Sequence, residues 1–160
     1  MNRRTAIKQL FVVAGGIMIA TSCAGDGQST SIVLTNIKLS ATDEKLLGDF
    51  VEAIIPASDS PGGKALNLHL FVMKMVDDCQ TKEEQKAFIE GLKQAADSLK
   101  KADQKAILDY LNGLPKEDVF FKILKRRTVQ GYLNSEYVMK NKLIYELVPG
   151  RYDGAVKVNV

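Results

Sequence analysis

The chain has 160 residues, 46% hydrophobic and 26% charged, with a formal net charge of +3. That length suits one folded domain, and that composition excludes a low-complexity or disordered chain. One His, two Cys and no Trp leave no Cys-x-x-Cys-His for c-type haem and no four thiolates for an iron–sulfur centre. Neither Gly-x-Gly-x-x-Gly nor Gly-x-Ser-x-Gly occurs, which removes the dinucleotide fingerprint and the nucleophile elbow.

Residues 1–22 read as a targeting signal. Arg3 and Arg4 precede Ala6-Ile7-Lys8 and the apolar run from Leu10 to Ala20. A basic start, a short apolar stretch and small residues after it make a secretory signal. The Arg pair is similar to a twin-arginine signal, which exports folded proteins; a general secretory signal is the alternative. The run has 11 residues, well short of the roughly 20 that span a bilayer. Cys23, after Ala20-Thr21-Ser22, resembles a lipoprotein cleavage site, with the thiol as the acylated group. Two or three acyl chains suffice for stable anchoring. A cut before Cys23 removes Arg3, Arg4 and Lys8 and no acid, which takes the formal +3 to neutral. The basicity therefore belongs to the signal, and nucleic acid is not an expected partner.

Residues 23–39 open with Gly25-Asp-Gly-Gln-Ser-Thr-Ser31 and read as a tether. Ile32, Val33, Leu34, Ile37 and Leu39 are candidates for a short extended piece laid on the domain. The domain proper is expected over 40–160. Ser40 with Asp43 forms a capping-box start, and Leu46, Leu47, Phe50, Val51, Ile54 and Ile55 recur at helical spacing up to Pro56. Ala57-Ser-Asp-Ser-Pro-Gly-Gly63 is a loop. A second helix is predicted over 67–79, with Cys79 on its apolar face. A third starts at Thr81, with Glu84 completing another capping box. A fourth covers 103–112, with Ile107, Leu108, Tyr110 and Leu111 apolar, and a fifth covers 116–133. The segment 134–160 reads as irregular but packed. The expected fold is all-α, a small bundle of about five helices with an irregular C-terminal segment.

Few residues carry chemistry. His69, between Leu68 and Leu70, suits a half-buried, hydrogen-bonded side chain better than a proton carrier or ligand. Asp77 and Asp78 suggest a solvated helix end, since no third metal ligand is visible. Lys122, Lys125, Arg126 and Arg127 suggest a solvated basic face. With Cys23 acylated, Cys79 is alone, and burial as a small hydrophobe is its expected state. A small enzyme built on His69, Asp77 and Asp78 is a rival reading, and a lipid-anchored binding module is another.

Four pieces carry a resemblance. They are Phe50-Val-Glu-Ala-Ile-Ile-Pro-Ala-Ser-Asp-Ser-Pro-Gly62, Asp78-Cys79, Thr128-Val-Gln-Gly-Tyr-Leu-Asn-Ser-Glu136, and Tyr145-Glu-Leu-Val-Pro-Gly-Arg-Tyr-Asp-Gly154. In that order the chain resembles the gluconate 2-dehydrogenase subunit 3 family. It departs from the family at Leu133-Asn134, where Tyr-Thr is common, and at Ala155, where a Cys is common. The resemblance implies a small, non-catalytic subunit of a periplasmic, membrane-associated dehydrogenase complex. It implies a large partner that carries FAD and oxidises a sugar or sugar acid, and often a cytochrome c subunit. It also implies that the small subunit's signal brings the partner across the membrane. It assigns no cofactor, metal or catalytic residue to this chain. Pro61, Gly62, Pro149, Gly150 and Tyr152 are the candidate partner contacts, because rigid turns and an amphipathic Tyr suit an interface.

Overall fold

The computed structural model describes residues 29–100 and 102–143. Arg3, Arg4, Cys23, Pro149, Gly150 and Tyr152 lie outside the described residues. Six helices and no strand occur among the described residues: α1 (Ala41–Ile54), α2 (Leu68–Cys79), α3 (Lys82–Ser98), α4 (Gln104–Gly113), α5 (Val119–Leu133) and α6 (Glu136–Asn141). None is long and apolar enough to cross a membrane.

The starts follow the capping residues. Ser40 Oγ accepts from the Asp43 amide at 3.2 Å while the Ser40 amide donates to Asp43 Oδ2 at 2.8 Å. Thr81 and Glu84 make the same reciprocal pair at 3.2 and 3.1 Å. Each pair satisfies two amides and places an acid at the positive end of the helix dipole. α5 starts at Val119 rather than at 116, because Asp118 is its cap, accepting from the Phe121 amide at 2.8 Å. The stretch expected to be irregular contains one further short helix, α6, capped by Ser135.

The bundle packs α5 against α2 and α3, and α1 against α2 and α4. Its centre is aromatic. Phe120 meets Phe50 edge-on, with centroids 5.7 Å apart, and Phe88 at 5.2 Å. All three are buried. Such pairs add about 1 kcal/mol each beyond the area they bury. Gly91 lets α3 approach this cluster, since a Cβ there would run into Phe120.

Two apolar expectations change. Ile107 and Leu111, one turn apart, bury the inner face of α4, so Leu108 points outward and is 42% exposed. Cys79 is exposed, not buried. It is the last residue of α2, and the backbone that covers that helix end closes on Asp77 instead.

Candidate functional site

α1 ends before Pro56, and the chain turns back along it through residues 55–67. Glu52, in the last turn of α1, holds this loop. Its carboxylate accepts from the Lys64 amide at 2.9 Å and the Ala57 amide at 3.3 Å. The Gly63 amide donates to the Ile55 carbonyl at 2.8 Å. Both glycines are required by closeness. A Cβ at Gly62 would collide with the Glu52 carboxylate, and one at Gly63 with the backbone carbonyl of Val51. Asn67 adopts φ 52°, in the left-handed region that Asn tolerates, and redirects the chain into α2.

The far side of the loop is pinned to the end of α5 and to α6. The Tyr132 hydroxyl donates to Ser60 Oγ at 3.1 Å, and the Tyr137 hydroxyl donates to the Asp59 carbonyl at 3.2 Å. Lys142 Nζ lies 3.6 Å from the Asp59 carboxylate. The Ser58 hydroxyl and then Lys142 hold the Asp59 carboxyl below its usual range. Gly131 closes on Phe71, with a virtual Cβ 2.8 Å from the ring. Beside this junction lies a cleft of about 620 Å³ walled by Leu66, Asn67, Phe71, Tyr137 and Lys140. The motif pieces around Ser60 and Tyr132, 72 residues apart, thus form one structure.

Pro61 is half-buried and Gly62 buried, while residues 56–59 are exposed. Gly62 acts by leaving room for Glu52, and the surface this loop offers is that of Pro61 and its exposed neighbours.

Asp77 is no solvated helix end: it is 1% exposed. Its carboxylate accepts from three successive amides, those of Thr35 at 2.8 Å, Asn36 at 2.6 Å and Ile37 at 3.0 Å. Burial pushes its pKa up, but the three amides and Lys74 outweigh burial and bring it down to about 2. Buried Gln85 donates to the Val76 and Asp77 carbonyls at 3.0 and 2.8 Å, capping the end of α2 from α3. Asp78 is exposed and pairs with Lys74 at 3.1 Å. This latch fixes residues 35–37 on the domain, where Ile37 joins the core.

His69 sits at the other end of α2. Its Nε2 lies 3.9 Å from Glu44 Oε1. Its Nδ1 is buried without a partner among the described residues. Burial lowers its pKa, against the pull of Glu44. Eight residues of helix, about 12 Å of rise, separate it from Asp77. The structure therefore does not bring His69, Asp77 and Asp78 together, and no group of three metal-ligating side chains forms among the described residues.

On α5, Lys122, Lys125 and Arg126 are exposed, as expected of a basic face, but Arg127 is not. It is 8% exposed and donates to Gln130 Oε1 at 2.7 Å. With the Gln80 amide turned so that its oxygen faces the guanidinium, Arg127 also donates to it at 2.7 and 3.0 Å. Burial of an Arg on two neutral carbonyls has no periodicity signal that sequence reasoning could use.

The backbone donors that hold Glu52 and Asp77 were not legible in the motifs, although a signal existed. Both are acids in the last turn of a helix, where the macrodipole disfavours negative charge. An acid in that position needs donors from elsewhere, and here backbone amides supply them.

The model of the family described as gluconate 2-dehydrogenase subunit 3 matches residues 41–150. The chain belongs to that family. Membership makes it a subunit associated with a larger dehydrogenase complex. The match begins with α1 and takes in the Glu52 loop, Asp77 and the Tyr132 clamp, whereas the amides of residues 35–37 that Asp77 holds precede it. No curated protein and no solved structure matches the chain.

Proposed function

We propose that this subunit 3 protein is a non-catalytic escort and anchor for an FAD-containing dehydrogenase that oxidises a sugar or sugar acid. The observation that carries the proposal is the family match over 41–150. The way in which the shared pieces are spent on holding the chain's own loop supports it: Glu52, Ser60 and Tyr132 are bonded to one another's segments. The flavin belongs to the partner, and a cytochrome c subunit takes its electrons. The domain folds in the cytoplasm and binds the flavoprotein through the exposed side of the Pro61 loop, together with Pro149, Gly150 and Tyr152. The signal with Arg3 and Arg4 then exports the pair, and acylated Cys23 holds it on the periplasmic side of a bacterial membrane.

Replacing Arg3 and Arg4 by Lys tests the escort role by cell fractionation. The flavoprotein is expected to stay in the cytoplasm together with the variant. Periplasmic flavoprotein at its normal level alongside a retained variant would remove the escort role.

A further inference from the structure

A second concavity lies away from the Pro61 loop. α4, the turn at 114–118 and α5 enclose a groove of about 680 Å³. Its floor is apolar: Leu111 is buried, and Leu114 and Phe121 are half-buried. Its rim is cationic, formed by Lys116, Lys125 and Arg126, and no Asp or Glu lines it. Lys122 also faces the groove but is paired with Glu117. No ion pair among the described residues neutralises the other three. Lys125 Nζ stands 5.7 Å over the Phe121 ring, which keeps that charge at the lip of the groove.

The pattern on α5 is regular. Lys122, Lys125, Arg126 and Val129 follow at spacings of three, four and seven residues, so they share one helix face. An apolar floor between cations that have no ion pair among the described residues calls for an apolar ridge flanked by carboxylates. We infer that the groove receives an acidic amphipathic helix of the partner protein, with its apolar side chains on Leu111, Leu114 and Phe121 and its carboxylates on Lys116, Lys125 and Arg126. A flat anionic membrane suits the charge but not the shape, because the apolar floor is recessed in a groove of about 680 Å³ between α4 and α5. A second copy of this face is repelled by its own cations. The inference rests on the reading of the chain as a subunit that binds a larger protein, and it adds where that protein is gripped. Complementary charge of this kind speeds association and weakens as salt rises.

The test titrates the full chain, labelled for amide NMR, with a designed helical peptide of about 14 residues, long enough for a marginal helix in water. Its Leu residues fall on one face and Glu flanks them. A twin peptide carries Lys at every Glu position, and phosphatidylglycerol vesicles form the third arm. The Glu peptide should bind with shifts centred on Leu111, Leu114, Phe121 and Lys125, weaken with salt, and outbind the Lys peptide by about tenfold or more. The double variant Lys125→Glu, Arg126→Glu, whose thermal unfolding should be unchanged, should reverse the preference. Equal binding of both peptides, shifts elsewhere, no binding, or vesicles binding in place of the peptide would each overturn the inference. Copurification separates the two proposals. If a flavoprotein copurifies with the wild type and equally with the double variant, the groove inference fails while the subunit reading stands. If none copurifies with the wild type, the subunit reading fails while the peptide titration still decides the groove.

Discussion

The Pro61 loop and the α4–α5 groove both lie at the surface, yet their polar groups are spent in opposite ways. In the loop, polar side chains are bonded inward: Glu52 to two amides, Tyr132 to Ser60, Tyr137 to Asp59. In the groove, Lys116, Lys125 and Arg126 have no ion pair among the described residues, and half-buried apolar side chains lie between them. The loop carries motif pieces that make the family resemblance, whereas the groove meets them only at Val129. A motif in this chain therefore marks first what the domain needs in order to hold itself together. The surface left open to other molecules has to be read from charge and shape.

That contrast can be broken most severely at Gly63. A Cβ there meets the Val51 backbone carbonyl, which cannot move without unwinding the end of α1. Gly63→Ala is expected to destabilise the domain by about 3 kcal/mol or more, on the scale of a backbone clash in a packed region. Denaturant unfolding reads it, and a loss under 1 kcal/mol would mean that the loop is not locked.

Asp77→Ala comes next. It leaves the amides of Thr35, Asn36 and Ile37 without their acceptor, at a cost of about 2–3 kcal/mol. The same latch sets an acid limit. The folded pKa of about 2 lies below the ordinary 3.8, so its contribution is complete above the ordinary value and is lost as pH falls from about 4 toward 2. Unfolding curves across that window should show the loss in the wild type, and the part due to Asp77 should be missing in Asp77→Ala.

Tyr132→Phe removes one hydroxyl that bonds Ser60. An effect of about 1 kcal/mol is expected, together with faster amide exchange in residues 57–62. At the small end, Lys125→Glu with Arg126→Glu should leave stability within about 0.5 kcal/mol, because both side chains are exposed and neither is in an ion pair among the described residues. A large destabilisation there would show that the groove also serves the fold.

The helices were legible because their signals are local. Ser40 and Thr81 cap helices that the apolar spacing also marks, so two independent cues agree, whereas the caps Asp103 and Asp118 come from the structure. What could not be read depends on distant partners. Asp77 is held by amides 40 to 42 residues earlier. Cys79 is exposed because the backbone that covers the end of α2 closes on Asp77, Leu108 faces outward because α4 buries one side only, and Arg127 is buried against glutamines. The Ser60–Tyr132 contact lay inside the quoted motif pieces, but spacing along the chain could not say that those pieces touch.

The central claim is that this domain works as a partner of a larger dehydrogenase. It is tested most directly by purifying the full chain from native cells solubilised in mild detergent and recording the visible absorbance and dehydrogenase activity of what comes with it. The prediction is a large flavin-containing chain at a fixed ratio, with the activity and the flavin spectrum tracking that chain. Elution of this protein alone, or a flavin held by this protein alone, would contradict it.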